Sequence, residues 1–391
     1  MKILLIRPAK NIGGAEIYNL NLIQAFKKYF KRYKLFFITT LPKFSGRIKN
    51  LKVEVKVLSL FSKEIGTRRD LIKLFFGLPK YLFLYIKTIL IFYKKKKIRI
   101  ICLQSATEKI ILTPILKILG FKIIWIEHGP FFMFKPANEV KFLYRLASNF
   151  ATKIIAVSEN VKQNAIKNKI KKEKLICVHT GIKISDYDIK KIVLKSKKIQ
   201  NIISRLNKII NHKLTVGYLG DFSFGKGIID FLNVSKEVIK KYNNIKFLLI
   251  GEGELFNKFN ILIRKEKIEE FFILLGYQKY PFPFLKFFDI LFYPNKVGGI
   301  SMVLLEAMAM GIPVVARDIG GNRELVVHGK TGYLFKDETP EELANIIIGL
   351  LKDEKKRKAM GKAAQERVKK YFNEERWIKQ MYQVFKEVAE E

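Results

Sequence analysis

Residues 293–335 gather side chains that could do chemistry. The stretch 302–310 is apolar nearly all round, as in a helix buried on every side, and carries one carboxylate, Glu306, at its middle. A buried carboxylate without partners is costly, so Glu306 calls for hydrogen-bond donors or a cation. After Gly311, the run 312–316 (IPVVA) reads as a short strand of a parallel sheet covered on both faces. Gly320-Gly321 then precedes a helix start at Asn322, where glycine lets backbone N–H groups approach an anion. A carboxylate for hydroxyls beside a glycine turn for phosphates suits a nucleotide-sugar site.

Other turns have a similar character. Gly13-Gly14-Ala15-Glu16 lies between the first strand and the first helix. Gly14 can present N–H groups to a phosphate, or the pair can be a plain tight turn, with Glu16 favouring the helix N-terminus. Residues 217–227 (GYLGDFSFGKG) form a strand–turn–helix phosphate cradle, with Lys226 ahead of Gly227 at the helix start. Gly251 and Gly253 follow the strand FLLI, and Gly276-Tyr277 follows the next strand. His128 closes the strand KIIWI at the end that faces a ligand crevice in such sheets. It is either close to the chemistry or a hydrogen-bonded structural histidine.

These turns need a scaffold. Strand-like runs at 3–6, 35–39, 53–58, 100–103, 123–126, 154–157 and 175–179 alternate with helix-length segments. A second series follows at 215–219, 247–250, 272–274, 290–293, 313–316 and 332–335. The pattern predicts an α/β chain of two facing Rossmann-like, doubly wound parallel-sheet domains. The expected divisions are an N-terminal domain at 1–185, a lysine-rich linker at 186–213, a C-terminal domain at 214–372 and a last helix at 373–391. That helix sets Trp377, Met381, Phe385 and Val388 on one stripe.

Residues 293–335 resemble the donor-site signature of retaining glycosyltransferase family 4, the group 1, glycogen-synthase-like transferases of GT-B architecture. The likeness extends over nearly the whole chain. In that family two glutamates eight positions apart flank a glycine-rich turn; the second falls on Glu306, while the first falls on Gly298. The family also has Gly-Arg, four residues, then Lys-Gly; Lys226 matches the lysine, and Asp221 stands at the arginine position. The resemblance implies catalytic roles for His128, Lys226 and Glu306: His128 near the reacting sugar, Lys226 on the donor diphosphate, Glu306 on the ribose. It implies that Gly14 covers the diphosphate, that Gly251, Gly253 and Tyr277 frame the nucleotide, and that the last helix crosses back to the N-terminal domain. Gly298, Gly299, Ile300, Gly320 and Gly321 then hold the donor through main chain. The donor is a UDP- or GDP-sugar, and the leaving phosphate itself takes the acceptor proton. No separate cofactor and no metal are expected; four histidines give little material for a metal cluster.

Charge points to the setting. The net charge is +39, and residues 1–100 hold 24 Lys and Arg against 4 Asp and Glu, about half of the surplus in a quarter of the chain. Compositional bias and an anionic partner both account for this. Residues 71–97 are strongly apolar and aromatic, with Lys73, Lys80, Lys87 and Lys94 seven apart, and Pro79 is expected to end or kink a helix there. The segment reads as a helix in the membrane interface or as a buried crossover helix; the two are compatible. Cys102 and Cys177 lie in apolar runs and read as packed thiols. The start MKILLIRPAK is too short an apolar stretch for a signal peptide, so the expected location is cytoplasmic, peripheral on the inner face of the membrane. Nothing resembles a base-reading module, so nucleic acid is not an expected partner. The expected partners are a nucleotide-sugar donor, a glycan or lipid-linked acceptor and an anionic membrane surface. The alternatives are a degenerate sugar-nucleotide-binding or membrane-associated protein, or a sugar-nucleotide epimerase.

Overall fold

The computed structural model describes residues 1–9, 11–60, 67–131, 136–187, 196–296 and 298–391. The chain forms two compact units, one of Met1–Gly181 with Glu374–Glu391, the other of Ile182–Asn373.

The first unit runs β1 (Lys2–Ile6), α1 (Gly14–Tyr29), β2 (Lys34–Thr39), α2 (Pro42–Asn50), β3 (Glu54–Val57), α3 (Arg68–Lys96), β4 (Ile100–Leu103), α4 (Ala106–Ile118), β5 (Lys122–Glu127), α5 (Asn138–Ser148), β6 (Lys153–Ala156), α6 (Glu159–Lys167) and β7 (Leu175–Cys177). All its strand pairings are parallel, in the order β3-β2-β1-β4-β5-β6-β7. Strand alternation divides the core between the two faces of the sheet. Leu4 and Ile6 of β1 pack with Tyr85, Ile89 and Phe92 of α3. Ile3 and Leu5 pack with Leu22 and Phe26 of α1. Both faces are thus covered, which is why the strands read as unbroken apolar runs.

The second unit runs α7 (Lys197–Ile210), β8 (Leu214–Leu219), α8 (Ile228–Lys241), β9 (Ile245–Ile250), α9 (Phe256–Lys265), β10 (Phe272–Leu274), α10 (Phe282–Leu285), β11 (Ile290–Tyr293), α11 (Met302–Ala309), β12 (Val314–Arg317), α12 (Asn322–Leu325), β13 (Gly332–Phe335), α13 (Pro340–Lys352) and α14 (Glu354–Tyr371). Its parallel order is β10-β9-β8-β11-β12-β13. Every strand read from the sequence is therefore present, in two doubly wound parallel sheets.

Three segments depart from, or add to, the sequence reading. The stretch expected as a linker holds α7, whose Ile203, Leu206 and Ile210 are buried on one stripe, and it is counted in the second unit. Lysines on the exposed face hide that period; residues 188–195 of the expected linker lie outside the described residues. Helix α3 continues through Pro79 to Lys96. Proline costs a helix one N–H bond, and here packing from Tyr81 onward sustains the helix beyond it. The last helix, α15 (Glu374–Glu390), packs in the first unit, with Trp377 against Tyr18 at 4.9 Å and Phe385 against Phe26 at 5.4 Å.

Candidate functional site

Strand order reverses between β1 and β4 in one sheet and between β8 and β11 in the other. At such a reversal the connections leave on opposite faces and open a crevice at the strand C-termini. The turns singled out in the sequence cluster at these two places.

In the second unit, the turn after β8 runs from Gly220 to Gly227. Buried Tyr218 holds it from beneath: its hydroxyl donates to the Asp221 carbonyl at 2.9 Å, with the Lys226 carbonyl at 3.5 Å. Burial pushes this phenol well above its ordinary range, so it stays a donor. Gly227 has φ 69°, and a Cβ there would lie 2.2 Å from the Pro294 carbonyl oxygen. The Lys296 N–H donates to the Gly225 carbonyl at 3.0 Å. The β8 turn is thereby joined to the exit of β11. Lys226 sits half-buried at the start of α8, and among the described residues its ammonium makes no ion pair.

The exit of β11 leads through Gly298, Gly299 and Ile300 to Ser301, whose hydroxyl accepts the Leu304 N–H at 3.3 Å and caps α11. Gly298 has φ 142°, a conformation L side chains rarely adopt. The glycine where the family places a glutamate is thus matched by a backbone that disfavours a side chain. From the next loop, a Cβ on Gly321 would come within 2.8 Å of the Ile300 nitrogen and 2.9 Å of the Gly299 carbonyl carbon. Residues 298–300 and 320–321 therefore form one continuous main-chain surface. Glu306 is buried in α11 and engaged within the fold.

Two further turns complete this rim. A Cβ on Gly251 would meet the Gly220 oxygen at 1.9 Å, and one on Gly253 would meet Asp221 Oδ1 at 2.7 Å. The Gly251 N–H is committed to the Gly276 carbonyl at 3.0 Å, and Glu252 Oε1 accepts the Tyr277 N–H at 3.1 Å. Gly251 and Gly253 thus serve close packing of neighbouring turns, and Tyr277 is left exposed at the edge.

In the first unit, Gly13-Gly14 follows β1. Glu16 accepts the Gly13 N–H at 2.9 Å and pairs with Arg7 at 2.9 Å, so its part is capping α1 and holding Arg7. Gly14 is exposed at the start of the helix. His128 follows β5, half-buried, with the Tyr18 ring edge-on at 4.8 Å. Its Nε2 lies 2.8 Å from Gln104 Oε1. Asn19 Nδ2 donates to the Ala15 carbonyl and to that same Gln104 oxygen, while Gln104 Nε2 donates back to Asn19. This network sets the amide orientations, so His128 must donate from Nε2 and keep a lone pair on Nδ1. Burial first, then the charges of Arg7 and Lys109, hold its pKa well below the ordinary value, and the imidazole is neutral.

Several participants carried no signal in the sequence. Lys109 is buried against Glu127 at 2.7 Å and the Ile126 carbonyl at 2.9 Å, with Tyr144 donating to the same carboxylate. Asp230 is held by Arg317 at 2.8 Å and Lys296 at 3.0 Å, tying α8 to the exits of β11 and β12. Lone Lys, Asp or Gln residues read as solvated side chains until the fold places their partners. Of the residues singled out, Gly14 and His128 lie in the first unit, and Lys226, Gly251, Gly253, Tyr277, Gly298, Gly299, Ile300, Glu306, Gly320 and Gly321 in the second.

Residues 199–367 match the family model "Glycosyl transferases group 1", and residues 12–186 match "Glycosyltransferase Family 4". The chain is 26% identical over 398 residues to the capsular polysaccharide biosynthesis glycosyltransferase CapM of Staphylococcus aureus, covering 92% of this chain and 99% of that protein. It is 25% identical over 236 residues, 59% of each chain, to the N-acetylgalactosamine-N,N'-diacetylbacillosaminyl-diphospho-undecaprenol 4-alpha-N-acetylgalactosaminyltransferase of Campylobacter jejuni. The solved structure of Anabaena Alr3699/HepE with UDP and glucose superposes with TM-score 0.81 at 20% identity, covering 99% of this chain and 100% of that one.

Proposed function

Because the chain belongs to the group 1 glycosyl transferases of GT-B architecture, with a family 4 domain at its N-terminal end, we propose that it moves a sugar from a UDP- or GDP-sugar to a glycan or lipid-linked acceptor with retention of configuration. The observation that carries this reading is the continuous surface of turns after β8, β11 and β12 at the strand reversal. It offers a lysine, main-chain N–H groups and, in the following helix, a buried carboxylate. Lys226 meets the diphosphate, and the charge that grows on the leaving phosphate is stabilised by Lys226 and the Gly320-Gly321 turn. Glu306 accepts hydrogen bonds from the ribose. The donor sugar rests on main chain at 298–300, since no carboxylate stands there. Neutral His128, with its free Nδ1 lone pair, accepts from a sugar hydroxyl near the reacting carbon. The leaving phosphate oxygen takes the acceptor proton on the same face, and no resident cofactor is needed.

The activities of two relatives support cell-surface polysaccharide or glycolipid synthesis, one acting in capsule synthesis and one on a diphospho-undecaprenol acceptor. The basic first hundred residues support work at the cytoplasmic face of the membrane, with anionic lipid and not nucleic acid as the charged partner. The test is a panel of UDP- and GDP-sugars scored by thermal stabilisation, because a ligand of the folded state raises its stability. The stabilising donor is then offered with lipid-linked acceptors, and transfer and anomeric configuration are read. If no nucleotide sugar stabilises the protein, the reading fails. One second reading has a specific observation behind it: Asp221, at the arginine position, lies against Gly253 and sets a negative charge beside the cradle. Donor binding without turnover of any acceptor would favour that non-catalytic form.

A further inference from the structure

Helix α3 has two characters. From Tyr81 onward one face, with Tyr85, Thr88, Ile89 and Phe92, is buried. The Tyr81 and Tyr85 hydroxyls donate to Glu108 on α4 at 2.5 and 3.0 Å, which sets the roll of the helix. At about 100° per residue, the opposite face carries Ile72, Phe76, Phe83 and the half-buried Leu90. Phe75 and Phe76 are 72% and 81% exposed, and Ile72 and Phe83 59% and 61%. Single exposed apolar residues are ordinary, but a row along one face marks an interaction surface. Lys73, Lys80, Lys87 and Lys94 flank that row, drifting by about 20° per heptad toward it. Lys87 Nζ lies 5.3 Å from the centroid of the Phe83 ring.

We propose that this outer face of α3 seats the protein in an anionic lipid surface, with its aromatic row below the headgroups and its lysines among the phosphates. The proposal rests on the reading of a membrane-side acceptor and adds the element and the mode of attachment: apolar insertion beside electrostatic attraction. An apolar row bordered by lysines is the composition of a helix lying in the interface plane. The part Phe75–Lys96 is long and apolar enough to cross a membrane by length and composition, at mean hydropathy 1.5. Crossing would pull Tyr85, Ile89 and Phe92 from the core they fill and set Lys80 and Lys87 in hydrocarbon, so the helix lies in the surface. A second copy would bring its own lysines against these lysines, which disfavours self-association through this face.

The test is flotation of the full chain with phosphatidylcholine vesicles, with and without phosphatidylglycerol, at low and high salt. Binding to the anionic vesicles should weaken with salt yet leave a remainder. Phe75→Ser/Phe76→Ser should abolish that remainder and lower partition at low salt at least about tenfold. A Phe76→Trp reporter should be quenched by lipids brominated on their acyl chains; Trp125 and Trp377 are buried. Donor-induced thermal stabilisation of the Phe75→Ser/Phe76→Ser protein should match wild type, so loss of donor binding in wild type sinks the enzymatic reading and leaves the vesicle result to stand on its own. Three results would overturn the proposal: no vesicle binding, complete release by salt with the serine variant behaving as wild type, or a concentration-dependent dimer broken by the serine variant.

Discussion

Gly321→Ala tests whether the donor surface depends on close main-chain approach. Gly321 has φ −71° and ψ −6°, so alanine meets no backbone strain there. The whole effect must come from contact. The new Cβ would stand 2.8 Å from the Ile300 nitrogen and 2.9 Å from the Gly299 carbonyl carbon and the Ile300 Cα. Ordinary contact begins near 3.4 Å, so the 298–300 and 320–321 segments must part by about half an ångström. These are backbone atoms and cannot swing aside as a side-chain tip can. Overpacking of this kind costs about 1–3 kcal/mol of stability. The displaced N–H groups are those assigned to the donor, and misplacement on the order of an ångström can cost ~100-fold in rate. We expect kcat/KM to fall by about ten- to a hundredfold on the best donor, with weakened donor-induced stabilisation. Gly349→Ala, with nothing within 4 Å of its added Cβ on α13, is the control and should stabilise by about 0.5–1 kcal/mol. Measurements are thermal denaturation with and without donor, and initial rates. Wild-type donor affinity and turnover in Gly321→Ala would refute the reasoning, even if the variant were less stable.

Lys226→Ala should leave melting nearly unchanged, because among the described residues the side chain makes no ion pair, yet lower kcat by about 100- to 1,000-fold, the scale for losing one group that stabilises growing charge; a loss in KM alone would contradict that role. Glu306→Gln should fold but bind donor about 1–3 kcal/mol more weakly by calorimetry, as for a hydrogen bond to a charged group, and unchanged affinity would end the ribose assignment. His128 has a pKa held below its ordinary 6.5, so below that pH the unfolded chain binds more protons than the folded one, and stability must fall as pH drops through the window between the two values. Urea titrations from about pH 5 to 8 should show this slope reduced in His128→Gln; equal slopes would mean that folding does not lower the His128 pKa.

How much was legible before folding follows from the range of each interaction. Two doubly wound sheets were readable because a strand covered on both faces must be apolar along its length, as in β4 and β12, and its helix must follow at once. The glycine turns were readable for a local reason too: a left-handed φ at Gly227 or a tight approach at Gly321 leaves only one residue type comfortable. Helix α7 was missed because its three buried positions are outnumbered by exposed polar residues, and only contact with the second unit tells stripe from linker. The His128 tautomer was beyond sequence because Asn19, Gln104 and His128 are far apart in the chain and meet only when β1, β4 and β5 lie side by side. The same holds for Lys109 with Glu127 and for Asp230 with Arg317: a charge reads as solvated until its partner arrives from another strand. Sequence by itself determined which residues could bind phosphate and hydroxyl and which elements would carry them, since propensity and burial pattern are local. Tertiary structure alone decided which turns share one surface, which glycines serve packing and which face of α3 is left in solvent, since those depend on contacts between residues distant in the chain.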